Sequence, residues 1–344
     1  MAIAAAQYLS PAAEGWLEAH VEGYRGPGKL QKFAFGQSNP TFQLSTARKE
    51  YVLRRKPFGQ LLPKAHAIER EFRVLTALRE SDVPVPRVYA LCEDTSLLGT
   101  AFYVMDYVAG RSFQDHRLPG LSVSERTAIF DGMNAAIASL HRVDPLTLGL
   151  GTYGRAEGFI GRQISVWTNQ YRASASEGRR TEAMEHLIEW LPQHVPPEQP
   201  AAIFHGDLRL DNMIFHATEP RVIAILDWEL STLGDPLADF AYNCMFWRVG
   251  VDLFRGFKGL DLEALGIPQA KEYERWYAER TGRSELPHMN FYLAFSLFRM
   301  AAILQGVWRR AQDGNASAED AAEVGAKAAP LAAIGWDIAR GLIL

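Results

Sequence analysis

Residues 203–242 read IFHGDLRLDNMIFHATEPRVIAILDWELSTLGDPLADFAY, and this stretch decides the fold class. Asp207 stands five residues before Asn212, which is the Asp-x-x-x-x-Asn spacing of a loop that carries a base and a metal-binding amide. An apolar run then ends on Asp227, and Thr-Glu-Pro at 218–220 favours a turn before that run. We therefore expect a hairpin that brings Asp227 back beside Asn212.

These three residues supply the chemical groups that phosphoryl transfer requires. A nucleoside triphosphate brings several negative charges, which Mg²⁺ bridges and which hard oxygen ligands hold in place. A further carboxylate must orient the attacking hydroxyl and accept its proton. Asp207 is predicted to be this catalytic base, and Asn212 and Asp227 are predicted to be the Mg²⁺ ligands. Each motif is weak alone, and specificity comes from their combination with two short strands and the Gly-Asp-Pro turn at 234–236.

The composition restricts the class of protein. The chain has 344 residues, of which 48% are hydrophobic and 22% charged, enough for one large domain or two lobes. A formal net charge of −4 argues against a general nucleic-acid binder. The chain has no run of 18 uninterrupted apolar residues and no signal-peptide pattern, so we expect a cytoplasmic protein without a membrane partner. Cys92 and Cys244 are expected to be buried free thiols.

The pattern of the chain changes near residue 110. Before it, short β-branched and aromatic runs alternate with turn residues, and the segment 66–80 carries apolar residues at helical spacing. After it, helices predominate. This pattern predicts an α+β bilobal fold with a small antiparallel-sheet N-lobe, 1–105, and a large, mostly helical C-lobe, 106–344. The expected strands are 30–35, 41–45, 50–54, 88–92, 101–107, 202–205 and 222–228, and the expected later helices are 124–142, 160–195 and several from 239 onward.

The segments 205–212 and 225–229 resemble the two signatures of the aminoglycoside phosphotransferase and choline kinase superfamily, which shares the protein-kinase fold. The segment 234–241 matches the continuation of the second signature. More closely, the chain is similar to the kinase-like domain fused to some acyl-CoA dehydrogenases, from about Phe33 to the last helices. The resemblance implies a protein-kinase-like fold, ATP or GTP as the phosphoryl donor, Mg²⁺, and a hydroxyl-bearing small molecule as the acceptor.

The resemblance assigns the base and the metal ligands to the same three residues, and it implies further roles around the catalytic loop. His205 is expected to brace this loop, and Asp235 and Asp239 are expected to hydrogen-bond the loop or its backbone. Asp211 and Glu229 are candidates, as exposed acids, for contacting the acceptor. Simple solvation is the alternative for both.

On the nucleotide side, the turn at 35–42 lies between two predicted strands. In the resembled family such a turn covers the phosphates with backbone N–H groups and a hydroxyl. Gly36, Ser38 and Asn39 are therefore expected to contact the nucleotide. An ordinary β-turn is the alternative interpretation of this segment when it is taken alone.

The next strand places Arg54 where the wider family has lysine, and arginine binds phosphate as a planar, bidentate donor. Lys56 is the alternative phosphate-binding cation, and Glu71 is the acid expected to position the cation. Adenine is expected to bind the backbone of the lobe-connecting hinge around Asp106 and Val108.

The sequence thus predicts a kinase that transfers phosphate from ATP to an alcohol group of a small molecule. The alternative is a nucleotide-binding pseudokinase, which only the departure at Arg54 supports. A protein kinase is disfavoured because residues 228–239 contain no activation segment. The C-terminal helices mix aromatic residues with arginines, which suits an apolar or anionic acceptor such as a hydroxy acid or its thioester, but helical spacing favours the core for most of these aromatic residues. The resemblance to the kinase-like domain of acyl-CoA dehydrogenase fusions favours a hydroxyacyl-type acceptor over an antibiotic. Arg299 is the basic residue expected to contact the acceptor.

Overall fold

The computed structural model describes residues 7–33, 39–59, 67–175, 180–314 and 320–342. Its first lobe is built on one six-stranded antiparallel sheet with the strand order β1-β2-β3-β4-β6-β5. The strands are β1 Gln7–Tyr8, β2 Lys29–Lys32, β3 Thr41–Ser45, β4 Glu50–Arg55, β5 Val88–Cys92 and β6 Phe102–Asp106.

Strand β4 lies in the middle of this sheet, and its side chains alternate between the two faces. Tyr51 and Leu53 pack in the core formed with the first helix, whereas Val52 packs in the larger core formed with the second helix. Arg54 follows Val52 at a spacing of two, so the strand turns its guanidinium towards the second helix and the space between the lobes. The helices of this lobe are α1 Pro11–His20, α2 Ile68–Leu78 and α3 Thr95–Leu98.

The second lobe is mostly helical. Helix α4 begins with a capping box, in which the Ser122 hydroxyl accepts from the Glu125 N–H and the Glu125 carboxylate accepts from the Ser122 N–H. Helix α11 is long and apolar enough to cross a membrane, but 83% of its apolar window is buried inside the fold. The helices are α4 Val123–Arg142, α5 Phe159–Ser174, α6 Glu182–Gln193, α7 Pro236–Cys244, α8 Val251–Phe254, α9 Leu262–Leu265, α10 Ala270–Arg280, α11 Met289–Gln312, α12 Ala321–Ala326 and α13 Ala328–Ala339.

Four short strands of this lobe flank the loop and the hairpin that carry Asp207, Asn212 and Asp227. The predicted hairpin is confirmed, since β8 pairs antiparallel with β9 and brings residue 213 opposite residue 225. The segment after β6 joins this hairpin, because Arg111 and Phe215 exchange both backbone hydrogen bonds at 2.8 Å. The strands are β7 Ala202–Phe204, β8 Met213–Phe215, β9 Val222–Ile225 and β10 Thr232–Gly234, with β7 paired to β10.

Several predicted elements differ from the structure. Strand β2 ends at Lys32, and residues 34 and 35 of the predicted strand lie outside the described residues. The predicted helix 160–195 is two helices, α5 and α6. Helix α1 was not predicted, although Ser10 caps it and Pro11 begins it, which is a common helix start. Both cysteines are buried and free, as expected.

Candidate active site

The loop between β7 and β8 carries Asp207, whose side chain is 17% exposed. The Asn212 side-chain amide donates to the Asp207 carboxylate at 2.8 Å and to the Asp207 backbone carbonyl at 2.9 Å. The Tyr242 hydroxyl donates to Oδ1 at 2.8 Å, and Arg209 Nη2 donates to Oδ2 at 3.0 Å. The loop therefore holds the carboxylate of the predicted base in one orientation.

Electrostatics keep this carboxyl ionised. Burial favours its neutral form, but the Arg209 charge and the hydrogen bonds from Tyr242 and Arg209 outweigh burial. The pKa of Asp207 consequently lies below its ordinary value. A carboxylate that is ionised at neutral pH is in the protonation state that a general base requires.

Buried side chains form hydrogen bonds with the backbone of this loop. Asp239 is fully buried, and its carboxylate accepts from the N–H groups of His205 and Gly206, as predicted. The Asp207 N–H donates to His205 Nδ1, so Nε2 carries the hydrogen and donates to the Leu226 carbonyl at 2.9 Å. His205 thereby braces the loop against the strand end that precedes Asp227. Gly206 has φ +89°, a conformation that strains any side chain, and a Cβ there would lie 3.2 Å from the Leu230 carbonyl oxygen.

The structure corrects two predictions for this region. Asp235 does not contact the loop: its carboxylate caps helix α7 at the Leu237 N–H and accepts from the Tyr292 hydroxyl at 2.7 Å. Arg299, expected at the acceptor, is only 4% exposed, and its Nη2 donates to the Gly206 carbonyl at 2.7 Å. Arg299 lies on α11 beneath the loop, so it supports the loop and does not line an open surface.

Asp227 follows β9 and lies directly beside the catalytic loop. The Leu226 N–H donates to the Asn212 carbonyl at 2.8 Å, which fixes the two predicted metal ligands next to each other. Asp227 has φ 66° and ψ 63°, which is unusual for a residue other than glycine and typical of strained functional positions. Its Oδ1 accepts from Arg54 Nη2 at 2.9 Å.

Arg54 joins the two lobes through carboxylates on both sides. Its Nε lies 2.9 Å from Glu71 Oε2, and its Nη2 lies 3.6 Å from Glu229 Oε2 as well as beside Asp227. Lys56, the alternative cation, pairs with Glu69 instead. Arg54 is thus the cation of β4 that faces the interlobe space.

Glu71 is 2% exposed, forms an ion pair with Arg54 and accepts hydrogen bonds from two described side chains. Besides Arg54, the Tyr103 hydroxyl donates to it at 3.1 Å and the Asn39 amide donates to it at 2.8 Å. Asn39, predicted to contact the nucleotide, is itself buried against Glu71. Gly36 and Ser38, the other predicted residues of this turn, lie outside the described residues.

A cavity of about 380 Å³ separates the two lobes beside this network. Its polar end holds Arg54, Glu71 and Asp227, and its far end reaches the hinge at Asp106 and Val108. The Asp106 side chain itself points to Lys49 and Tyr89, which leaves backbone atoms as the hinge groups for a ligand. The apolar walls are formed by Val52, Leu75, Met105, Ile214 and Ile225.

The oxygen donors at the polar end fit Mg²⁺. Asn212 turns its amide nitrogen to Asp207, so its side-chain oxygen is the atom left for a cation, and Asp227 adds a carboxylate. Among the described residues, no cluster of three or more His, Cys, Asp or Glu side chains forms a closed metal cage. Two protein oxygens are typical of a Mg²⁺ site that phosphate and water oxygens complete.

Asp211, which lines the same cavity, is surrounded by basic side chains. Arg255 Nη1 lies 2.6 Å from Oδ2, Arg209 Nη1 lies 3.2 Å from Oδ2, and His116 Nε2 lies 3.3 Å from Oδ1. Burial opposes ionisation, but these partners hold the pKa of Asp211 well below its ordinary value. The prediction of an exposed acid is wrong here, because the Asp211 side chain is 9% exposed. Glu229 is 24% exposed and lies on the Arg54 side.

Sequence reasoning missed Arg209, Tyr242, His116 and Arg255. Tyr242 follows Asp239 by three residues on α7, so both side chains lie on the helix face that meets the loop. That spacing was the available signal for Tyr242. Arg255 lies 44 residues beyond Asp211, and no local pattern connects the two.

The two-lobed fold, with the loop of Asp207 and the hairpin that places Asp227 beside Asn212, is that of a kinase-like phosphotransferase. Residues 29–288 match the family model described as "Phosphotransferase enzyme family", and the chain belongs to this family. Mouse acyl-CoA dehydrogenase family member 10 is 48% identical over 316 residues, which cover 91% of this chain. The match spans only 29% of the length of that relative.

Solved structures agree with this assignment. A crystal structure from Ralstonia eutropha JMP134, whose name assigns it provisionally to the aminoglycoside phosphotransferases, is 50% identical and has a TM-score of 0.89. The match covers 97% of this chain and 99% of that one. Aminoglycoside phosphotransferase APH(4)-Ia, in a ternary complex with ADP and hygromycin B, has a TM-score of 0.61 at 16% identity. That match covers 95% of this chain and 99% of the other, and it shows the shared fold.

Proposed function

We propose that the protein transfers the γ-phosphoryl group of ATP to a hydroxyl group of a small molecule in the presence of Mg²⁺. The observation that carries the proposal is the Asp207 carboxylate, which is ionised and held by Asn212 beside Asp227 and Arg54. Each requirement of phosphoryl transfer thereby has a residue within one connected network. The complex of APH(4)-Ia with ADP and hygromycin B supports a nucleotide and a small-molecule acceptor by analogy of fold.

In this proposal each residue has a defined task. Asp207 orients the acceptor hydroxyl and accepts its proton as the bond to phosphorus forms. Arg54 turns from Asp227 to the α- and β-phosphates, and Glu71 keeps its guanidinium in place. Asn212 and Asp227 hold the metal ion, which when bound offsets the phosphate charge. The apolar walls of the 380 Å³ cavity enclose the adenine, and the hinge backbone at Asp106 and Val108 offers it hydrogen bonds.

We propose that the acceptor carries negative charge, as a hydroxy acid or a hydroxyacyl thioester does. Arg209 lies against the base, and Arg209, Arg255 and His116 gather around the neighbouring Asp211, where Arg255 is 43% exposed. A polycationic aminoglycoside would meet repulsion from these groups. The similarity to an acyl-CoA dehydrogenase family member supports an acyl-type acceptor, since a fused kinase domain and its partner domain can share a substrate.

A pseudokinase is the second candidate. The ion pair between Arg54 and Asp227 favours it, because this contact occupies a predicted metal ligand. A thermal shift experiment with ADP alone, Mg²⁺ alone and both together separates simple folding from binding. Asp227→Asn should remove the magnesium-dependent part of the shift, and catalysis then distinguishes a kinase from a pseudokinase.

The direct test is a screen for acceptor-dependent ADP release from MgATP or MgGTP. The panel contains aminoglycosides, amino alcohols, sugars, hydroxy acids and hydroxyacyl thioesters, with Asp207→Ala as the inactive control. We expect release with an anionic hydroxyl compound and loss of release in the control. Magnesium-dependent ADP binding without release across a broad panel would favour the pseudokinase.

A further inference from the structure

We propose that Arg209 covers the catalytic base until an acceptor binds, so that the phosphoryl group passes to the acceptor and not to water. Arg209 is then a positioning residue that determines specificity for the acceptor over water. This inference rests on the proposed phosphotransferase function and deepens it, because it gives Arg209, one of the basic groups near the base, a task of its own.

The observation is that the Arg209 guanidinium lies against both oxygens of the Asp207 carboxylate. Oδ1 accepts from the Tyr242 hydroxyl at 2.8 Å, and Arg209 Nε lies 2.9 Å from it as an ion pair without a hydrogen bond. Oδ2 accepts from the Asn212 amide at 2.8 Å and from Arg209 Nη2 at 3.0 Å. A carboxylate oxygen offers about two lone-pair positions, so both positions of Oδ2 are in use and the guanidinium stands in front of the second position of Oδ1.

Of these three partners of Asp207, only Arg209 is free to move away from the carboxylate. Tyr242 is 3% exposed beneath the loop, and the Asn212 amide is also fixed by the Asp207 backbone carbonyl. The Arg209 side chain is 21% exposed. Its Nη1 already lies 3.2 Å from Asp211, which offers the guanidinium a second anion on the acceptor side. A rotation of the Arg209 side chain would therefore uncover Asp207 without breaking the core.

The chemistry explains why covering the base is useful. In hydrolysis, a water oxygen bonds to the γ-phosphorus, the bond to the β-phosphate oxygen breaks, ADP leaves with the electron pair, and the water proton passes to Asp207. Transfer to an acceptor is the same step with an alcohol oxygen in place of water. An anionic acceptor can draw the Arg209 guanidinium from Asp207. The base is then free only when the alcohol is present, and futile hydrolysis is suppressed.

The test measures ADP release from MgATP without any acceptor. Arg209→Gln keeps a polar side chain but removes the cation, and we expect acceptor-independent hydrolysis to rise by about tenfold, a fraction of the roughly 10²–10⁴-fold that a general base contributes in full. The rise should disappear in the double variant Asp207→Ala with Arg209→Gln. MgADP affinity, measured by calorimetry, should stay within about twofold, because Arg209 does not line the 380 Å³ cavity.

A matched control exists in the same chain. Arg117 binds Asp115 two residues away through Nε at 2.9 Å and Nη2 at 2.6 Å, the same spacing and a similar bidentate contact, but on the exposed surface. Arg117→Gln should leave hydrolysis unchanged. Arg209→Lys tests the geometry with the charge kept, since an ammonium acts as one point charge and not as a fork. Its hydrolysis should lie between wild type and Arg209→Gln.

The outcomes are distinguishable. Unchanged or reduced hydrolysis in Arg209→Gln, with MgADP affinity intact, overturns the inference and leaves the proposed function standing. If Arg209→Gln does not fold, Arg209→Lys decides, and hydrolysis at the wild-type rate there also overturns it. A raised rate that survives Asp207→Ala means that another group activates water, which again contradicts the inference. Absence of MgADP binding in the wild type overturns the proposed function and this inference with it.

Discussion

Removal of the Tyr242 hydroxyl tests whether Asp207 is held as a buried anion. Tyr242→Phe keeps the ring, which is 3% exposed, and deletes only the hydrogen bond to Asp207 Oδ1 at 2.8 Å. A hydrogen bond to a charged group contributes roughly 1.5–3 kcal/mol to stability. We therefore expect the free energy of unfolding at pH 7 to fall by this amount, because the carboxylate, whose side chain is 17% exposed, loses a donor held by the buried Tyr242 ring.

The assay is urea unfolding of four proteins: wild type, Tyr242→Phe, Asp207→Ala and the double variant. Because both single changes remove the same hydrogen bond, we expect a coupling energy of about 1 kcal/mol or more. Tyr292→Phe is the matched control, since its hydroxyl donates to the buried Asp235 at 2.7 Å, away from the loop. It should cost a similar stability and show no coupling to Asp207→Ala. A coupling energy below about 0.5 kcal/mol for Tyr242 would refute the argument.

Three further predictions concern the same network. Arg54→Ala should weaken MgATP binding by about tenfold or more in calorimetry, because one charge-assisted hydrogen bond is worth roughly 1.5–3 kcal/mol, whereas Lys56→Ala should change it little. Asp239→Ala should lower the free energy of unfolding by roughly 2–6 kcal/mol in urea titrations, since two buried N–H groups lose their acceptor at about 1–3 kcal/mol each. Asp235→Asn should remove a pH dependence of the free energy of unfolding. Burial raises the pKa of Asp235 in the folded protein, so the wild type loses stability as pH rises from about 4, the ordinary value, through the raised pKa.

If Lys56→Ala weakened MgATP binding as strongly as Arg54→Ala does, the assignment of Arg54 as the phosphate-binding cation would be contradicted. Asp239→Ala with wild-type stability would mean that the loop backbone finds other acceptors. If the free energy of unfolding of Asp235→Asn depended on pH as it does in the wild type, the hydrogen bonds of Asp235 to Tyr292 and to the helix start would offset the effect of burial completely.

The sequence predicted the fold and the centre of the site because both depend on local patterns. The bilobal fold followed from strand runs before residue 110 and helical periodicity after it. The loop of Asp207 and Asn212 and the hairpin to Asp227 lie within 21 consecutive residues, so spacing alone indicated that they meet. Glu71 was identified because the segment 70–75 on the predicted helix 66–80 resembles the family's Arg-Glu-x-x-x-Leu pattern, and the structure brings it within 2.9 Å of Arg54.

The rest depends on contacts between distant segments. Arg299 was expected at the acceptor because the C-terminal helices mix arginines with aromatic residues, but a long core helix buries it against Gly206. Asp211 was expected to be exposed because no local signal connects it to His116 or Arg255, which lie 95 and 44 residues away. Helix α1 was not predicted, although Ser10 and Pro11 form a recognisable helix start. Tertiary packing decides the surroundings of a charged residue, and one sequence does not report them.

The most direct test of the central claim is the rate of acceptor-dependent ADP release in Asp207→Ala, measured with an acceptor found in the screen. The account predicts that kcat falls by roughly 10²–10⁴, the usual contribution of a general base, while calorimetry shows MgADP affinity near that of the wild type. Turnover that survives almost intact would contradict Asp207 as the base. Loss of MgADP binding together with turnover would instead show that Asp207 holds the nucleotide site together.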